Sequence, residues 1–208
     1  MSYALAVLGL AVALWQIGYA LELMGDSLST KLFWAKFQYL GIPTTPSAWL
    51  AVTLHYTGRS DWLTRRNLAL LAVVPVVTAV LAWTNGSHQL IWSDMRLESS
   101  DSLLWLIWDH GAWFWTHTAY SYLVLLLGIA LVSGELLHSP RAYWAQATAL
   151  LISAIMPWIA NWSFFVGLTP VTHLNLTPVA FLFGLLVLIW AVLYAGLLIS
   201  CPSLKRWW

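Results

Sequence analysis

Charged residues are scarce in this chain of 208 residues. Asp, Glu, Lys and Arg make up 8% of it, against 61% hydrophobic residues, whereas soluble domains carry about 25% charged residues. A globule of 23.4 kDa cannot bury this much apolar surface, so lipid is the expected solvent. The net charge of +1 gives no electrostatic basis for binding nucleic acid. The composition therefore predicts an integral membrane protein.

Cysteine is also nearly absent, since Cys201 is the single one. This excludes an internal disulfide and a metal site built from cysteines alone. The sequence contains no HExxH pattern, and we expect no metal or other cofactor. Residues 1–24 lack both the basic start and the small-residue cleavage site of a signal peptide, so a retained first helix is expected.

Long apolar runs are what the chain has in abundance. A membrane-spanning helix needs about 20 apolar residues, and six segments qualify: 3–24, 30–56, 67–84, 108–137, 141–166 and 175–200. Pro43 and Pro46 interrupt the second segment, where a helix cannot continue undisturbed. We predict an all-α, polytopic membrane helix bundle with six transmembrane helices, formed by residues 1–208 as one domain.

The basic residues predict the orientation. Six helices place both termini on one side, and that side holds most of the basic loop residues: Arg59, Arg65, Arg66, Arg141, Lys205 and Arg206. The other side holds Lys31 and Arg96. Basic loops stay in the cytoplasm, so we expect a multi-pass protein of the cell (inner) membrane with both termini cytoplasmic.

Polar residues inside the apolar segments are the candidate ligand-binding residues, because such residues usually face the interior of a bundle. All are expected in the outer half of the bundle or in the outer loop 85–107: Glu22, Lys36, Gln38, Tyr39, His88, Trp113, His117, Tyr120, Asn161 and Thr177. That loop is too apolar for a free one, and we expect parts of it to lie on the membrane or to fold back as a lid.

Two groupings stand out among these residues. The short connection 25–30 predicts a Glu22–Lys36 pair, which either fixes helix register or is rearranged by a ligand. His110, Trp113, His117 and Tyr120 are spaced by three and four, which puts them on one face of a helix. That face either lines an outward cavity or forms an aromatic belt at the membrane surface.

The inner half is expected to be nearly pure Leu, Val and Ala, with exceptions such as His55 at the interface. A path for ions or substrates needs polar groups through the whole depth of the membrane. The asymmetry instead predicts a pocket that is open to the outside and closed below, as in a receptor.

Seven short motifs run in order along the chain: "LWQIGYALEL" (14–23), "LFWAKFQYLGI" (32–42), "HYTGR" (55–59), "WTNGSHQLIW" (83–92), "GAWFWTHTAYSYLVLLLG" (111–128), "PWIANW" (157–162) and "NLTPVAF" (175–181). Through these motifs the chain resembles the seven-transmembrane N-terminal sensor region of histidine kinases. The resemblance implies signal input to a cytoplasmic partner and, as in sensor kinases, a homodimer. It begins at what would be the second helix of the family, and no kinase module follows, so no enzymatic activity is expected.

Three functions are therefore weighed. The first is a membrane-embedded sensor or receptor domain of two-component-type signalling, which detects a ligand or a membrane state through the outward pocket. An apolar or aromatic molecule or a lipid suits that pocket better than an ion does. The second is a structural or pigment-binding subunit of a membrane complex, which the many tryptophans would fit. The third is a small transporter.

Overall fold

The computed structural model describes residues 1–100, 103–138, 140–168 and 174–194. These residues form seven α-helices: α1 (Ser2–Met24), α2 (Leu28–Gln38), α3 (Thr44–Tyr56), α4 (Arg65–Trp83), α5 (Ala112–His138), α6 (Trp144–Phe165) and α7 (Thr177–Leu193). Two antiparallel strands, β1 (Trp92–Ser100) and β2 (Leu103–His110), lie between α4 and α5. Short 3-10 turns cover Ser60–Trp62, Asn85–Ser87 and Arg141–Tyr143. Cys201, Lys205 and Arg206 lie outside the described residues.

Four of these helices are long and apolar enough to cross a membrane, namely α1, α4, α5 and α6. Helix α7 is also apolar, and its described part is 17 residues long. Large apolar side chains cover the lipid side of these helices, for example Leu10 (62% exposed), Val76 (59%) and Leu123 (67%). The predicted helical membrane bundle is confirmed, whereas the count of six crossings stays a prediction.

The second predicted crossing is broken into two helices. Helix α2 ends at Gln38 and α3 begins at Thr44, with a tight turn at 39–43. Both helices pack along α1, so together they run antiparallel to it. The hydroxyl of Thr44 donates to the Leu40 carbonyl at 3.0 Å, which replaces a helical backbone bond, because the Thr44 N–H donates to the Gly41 carbonyl instead. The interruption predicted from the prolines therefore divides the segment into two helices, joined by a turn in which the Ile42 N–H still donates to the Gln38 carbonyl at 2.9 Å.

Glycine lets this break rest on the backbone of α1. A methyl group on Gly41 would lie 2.2 Å from the carbonyl oxygen of Ala11 and 2.9 Å from the backbone nitrogen of Trp15. One turn further along α1, a methyl group on Gly18 would lie 2.6 Å from Cγ of Gln38. Since Ala11 and Trp15 are near the middle of α1, the break lies about halfway through the bundle.

The helices close into a ring. In the described part of the chain, α1 packs on α3, α3 on α5, α5 on α6, α6 on α7, and α7 on α1, while α4 lies outside against α3 and α5. The end of the bundle next to the strands, where α1 ends and α5 and α7 begin, is called the hairpin end below. The end where α1 begins is called the opposite end.

The hairpin replaces the irregular loop that the sequence indicated. Strand β2 reaches His110, so the predicted fourth helix does not begin at residue 108 but at Ala112. The register pairs Trp92 with His110 and then shifts between Ser93 and Arg96, which marks a β-bulge. The expectation that this segment folds back over the bundle is confirmed, because β2 packs on α2.

Asn85 fastens the hairpin to the end of α4. Its side-chain oxygen accepts from the backbone N–H groups of Ile91 (2.9 Å) and Trp92 (3.1 Å), and its amide donates to the Trp92 carbonyl at 2.9 Å. All three residues are buried. At the same open end of the hairpin, the carbonyl of Leu90 accepts from the backbone N–H of Trp113 at 2.9 Å in the first turn of α5. The hairpin is thus held at its base, next to both α4 and α5.

Candidate functional site: a pocket beneath the hairpin

A cavity of about 310 Å³ lies inside the ring at the hairpin end, a size at the small end of the range for ligand pockets, about 300–1,000 Å³. Helices α1, α2, α5, α6 and α7 form its walls, and β2 covers it from Leu104 to Trp108. The turn at 39–43 contributes Tyr39 and Ile42. The cavity is therefore bounded by both irregular features of the fold, the hairpin and the broken crossing.

Glu22 is the carboxylate in this pocket, and its partner is Gln38. The Gln38 amide nitrogen donates to Oε2 of Glu22 at 2.6 Å, and both side chains are buried. Lys31 lies beside them, with 1% of its surface exposed. Its ammonium donates to the backbone carbonyls of Glu22 (2.8 Å) and Leu23 (3.4 Å). Lys31 thus caps the C-terminus of α1, where the helix dipole favours a cation.

The predicted Glu22–Lys36 pair is wrong. Lys36 donates to the backbone carbonyl of Trp83 at 3.3 Å in an exposed position, and it does not line the cavity. Five residues of a helix separate the two lysines by about 500° of rotation, so they point to different sides of α2. Rotation about the helix axis, which the sequence does not give, decides which lysine faces α1.

A chain of hydrogen bonds joins four helices along the pocket wall. The Tyr122 hydroxyl donates to the side-chain oxygen of Asn161, and the Asn161 amide lies 3.4 Å from the Thr177 hydroxyl. The backbone N–H of Thr177 donates to Asn175 at 2.9 Å, and the backbone N–H of Asn175 donates to the Tyr19 hydroxyl at 3.0 Å. The predicted site residues Asn161 and Thr177 thus contact each other at the cavity. Tyr122 links them to α5, and Asn175 and Tyr19 link them to α1.

The predicted stripe on α5 divides into two. His117 is buried and lines the cavity. Trp113 donates to the Thr78 hydroxyl at 2.9 Å, and Tyr120 donates to the Leu71 carbonyl at 2.8 Å, so both bind α4 and neither lines the pocket. His110 is not on this helix, because it is the last residue of β2. The pocket face of α5 instead carries the polar residues Thr118 and Ser121.

His88 does not line the pocket either. Its Nδ1 accepts from the backbone N–H of Leu90 at 3.0 Å, and its Nε2 lies 3.1 Å from the Thr84 hydroxyl. These contacts hold the turn between α4 and β1. Of the predicted residues, six therefore line the cavity: Glu22, Gln38, Tyr39, His117, Asn161 and Thr177.

Several pocket residues were missed from the sequence. Tyr19 lies one turn before Glu22 on the same face of α1, a spacing that could have identified it. His110, assigned to a helix, instead reaches the cavity from β2. Burial lowers the pKa of the His110 imidazole, and the nearby carboxylate of Asp109 raises it by less. The neutral imidazole is thus favoured at this position of the hairpin.

The opposite half of the bundle is mostly apolar in its interior, as expected, but its buried polar side chains include Thr53, Thr57 and Ser153 as well as Glu135 and Gln146. Glu135 and Gln146 are buried there, 7% and 1% exposed, near the ends of α5 and α6 that meet. The core between these residues and the pocket includes Val52, Val132 and Leu150, all fully buried. Glu135 and Gln146 therefore lie close to the opposite end of the bundle.

Fold and site together define a polytopic helical membrane protein with one polar-lined cavity at one end of its bundle, as far as the described residues extend. The sequence model of the family described as the N-terminal 7TM region of histidine kinase matches residues 2–202. The chain therefore belongs to that family and is a membrane sensor domain of two-component signalling. The resemblance predicted from the motifs is confirmed. A comparison with curated proteins finds no match.

Proposed function

We propose that the pocket beneath the hairpin is the input site of this sensor and binds a small molecule with an apolar or aromatic body. The observation that carries the proposal is a cavity of about 310 Å³ into which polar groups from several helices converge. Ligand sites combine mostly apolar walls with a few placed polar groups. Here Glu22, Gln38, Asn161 and Thr177 supply the polar groups, and Trp15 and Phe181 are among the apolar ones.

The packing of the opposite half favours reception over transport. Beyond the cavity the bundle is filled by side chains with 0% exposure, among them Val52, Val132 and Leu150. Transport needs a route past these residues, whereas a sensor needs only a change that reaches the opposite end. The transporter alternative is therefore the weaker one.

The broken crossing supplies a route for that change. Tyr39 and Ile42 line the cavity, and α3 runs from this turn to the opposite end, where Tyr56 is fully buried. A turn between two short helices absorbs backbone rotation more easily than a continuous helix does. In our proposal, ligand contact at Tyr39 shifts α3 relative to α1.

The basic residues give the proposed orientation. Arg59, Arg65 and Arg141 lie at the opposite end, beside the start of α1. By the positive-inside rule this end faces the cytoplasm, so the pocket opens on the outer side. In our proposal these 208 residues receive the signal, and the phosphotransfer chemistry belongs to a cytoplasmic kinase partner. We include dimerisation of this domain in the proposal, and its support is the family relationship alone.

A matched pair of tryptophan substitutions on α5 tests the pocket. Thr118→Trp fills the cavity, since Thr118 lines it, whereas Leu123→Trp places the same side chain on a surface that is 67% exposed to lipid. The purified proteins are screened by thermal unfolding against small aromatic and aliphatic alcohols, amides and amines. We expect some compounds to stabilise the wild type and Leu123→Trp but not Thr118→Trp.

Two outcomes would count against the proposal. The first is that no compound stabilises the wild type. The second is that the active compounds stabilise Thr118→Trp equally, which would place their binding outside the pocket.

A further inference from the structure

We infer that the pocket takes a small organic cation, an alkyl- or arylammonium ion, with the Glu22 carboxylate as its counter-ion. The inference rests on the proposed function and names the ligand class of the same site. It follows from three features of the described residues: the bonding of Glu22, the bonding of Lys31, and the aromatic walls.

Glu22 has acceptor capacity left for a ligand. It is the one carboxylate among the described residues that line the cavity. Its hydrogen bond is the one from Gln38 to Oε2, whereas an ionised carboxylate has about four lone-pair sites. The side chain is 5% exposed, so water solvates it poorly and a ligand donor would gain accordingly.

Lys31 does not use the free acceptor sites of the Glu22 carboxylate. Its ammonium is bonded to the two backbone carbonyls at the end of α1, at 2.8 and 3.4 Å. Lys31 and the Glu22 carboxylate, both among the described residues, form no ion pair within 4.0 Å. Lys31 also feels the charge of Asp26. In the described part of the chain, the cavity thus holds one carboxylate and one ammonium, and the ammonium is bound to the backbone and not to the carboxylate.

Aromatic side chains line the same cavity as the Glu22 carboxylate. Trp15 and Tyr19 precede Glu22 on the pocket face of α1 at helical spacing, and both line the cavity. Trp92 and Trp108 line it from the hairpin, and Trp158 from α6. Aromatic faces attract ammonium groups, most strongly where water is excluded. Such walls favour an organic cation, because its apolar body can pack against them. A hydrated metal ion has no apolar body.

An anionic ligand fits this pocket poorly. It would meet the Glu22 carboxylate, and two of the three Lys31 N–H groups that could bind it already have carbonyl partners. His110 adds little positive charge, because burial lowers its pKa. A neutral ligand could donate to the Glu22 carboxylate, but without the attraction between opposite charges that an ammonium adds.

Three probes of nearly equal size test the charge preference: phenethylammonium, 2-phenylethanol and phenylacetate. Their binding to the full chain in nanodiscs of zwitterionic lipid is measured at constant ionic strength and neutral pH. We expect phenethylammonium to bind roughly tenfold to hundredfold more tightly than 2-phenylethanol, as for one hydrogen bond to a charged group. Phenylacetate should bind most weakly.

Glu22→Gln and Glu98→Gln are the matched variants. Gln at position 22 can still accept from Gln38, so the fold is expected to persist, and the preference for the ammonium should disappear. Glu98 is exposed on β1 and does not line the cavity, so its variant should keep the wild-type preference.

The outcomes separate this inference from the proposed function. If 2-phenylethanol binds as tightly as the ammonium, or if Glu22→Gln keeps the preference, the cation inference is overturned while the pocket remains a binding site. If none of the probes binds, the cation inference also fails, and the Thr118→Trp comparison still decides whether the pocket is the input site.

Discussion

Substituting alanine for Gly41 tests whether the broken crossing rests on α1 as described. The added methyl carbon would lie 2.2 Å from the Ala11 carbonyl oxygen and 2.9 Å from the Trp15 nitrogen. Favourable contacts between such atoms are about 3.5 Å or longer, so α1 and the turn must separate by about 1 Å. Both obstacles are backbone atoms, which cannot rotate away as the end of a side chain can.

The size of the effect follows from overpacking. Forcing an extra methyl group into a packed interior costs about 1–3 kcal/mol, and two backbone obstacles place Gly41→Ala near the upper value. Backbone conformation does not add to this, because positive φ angles at glycine occur, among the described residues, at Gly58 and Gly167. Replacing glycine by alanine restricts the unfolded chain and returns about 0.4–1 kcal/mol. We therefore expect a net loss of about 2 kcal/mol.

Thermal unfolding of the purified protein, followed by tryptophan fluorescence, measures this loss. For a chain of this size, 1 kcal/mol corresponds to about 2–4 °C in Tm, so Gly41→Ala should lower Tm by about 4–8 °C. Gly9→Ala is the control. Gly9 lies on α1, and a methyl group added there would have no neighbouring segment within 4 Å. Alanine is the better helix former, so this variant should be as stable as the wild type or more so.

The two variants together decide the matter. If Gly41→Ala unfolds at the same temperature as Gly9→Ala, the turn and α1 are not in contact, and the argument for a mid-bundle break against α1 is refuted. If both variants lose the same amount of stability, the loss reflects the replacement of glycine at either position and not the contact between Gly41 and α1.

Two further substitutions test the hairpin and the corrected lysine assignment. Asn85→Ala removes three buried hydrogen bonds. It should lower the free energy of unfolding by about 3 kcal/mol or more and speed hydrogen exchange at Ile91 and Trp92. Asn67→Ala, which loses one exposed bond, is the control, and equal stability of the two variants would contradict the anchoring role of Asn85. Lys36→Ala should change the free energy of unfolding by less than about 0.5 kcal/mol, as for other exposed sites, and a loss above 2 kcal/mol would instead support a buried pair with Glu22.

The sequence was a good guide to the helices, because apolar runs of sufficient length have few other uses. The prolines at 43 and 46 also predicted the break, since proline removes backbone donors from a helix. The extent of the break was not predictable, because it depends on how closely Gly41 approaches α1. That distance is a property of two segments packed together.

The hairpin was missed for a different reason. Its second strand, "LLWLIWDH", is an apolar run directly before a long apolar helix, and periodicity does not separate a buried strand from a helix in so short a run. Gly111 marks the true boundary, because a methyl group there would lie 2.4 Å from the Leu90 carbonyl. Gly111 is visible in the sequence as a possible boundary, whereas its contact with the Leu90 carbonyl could not be predicted from the sequence.

The candidate site was predicted in part. Polar residues within apolar helices found Glu22, Gln38 and Asn161, because burying such groups in lipid requires partners. The method failed where the direction of a side chain decides its role. Trp113 and Tyr120 share a face of α5 with His117 but bond to α4, and the position of α4 could not be derived from spacing.

The closure of α7 on α1 has a consequence for biogenesis. Tyr19 binds the backbone of Asn175, 156 positions later, and Gln16 donates to the carbonyl of Pro178, 162 positions later. Both polar side chains lie on α1, which is synthesised long before α7, and polar groups in lipid are costly until they find partners. The ribosome must therefore deliver α7 before α1 can settle, so this part of the newly made chain remains open and unsatisfied until α7 inserts.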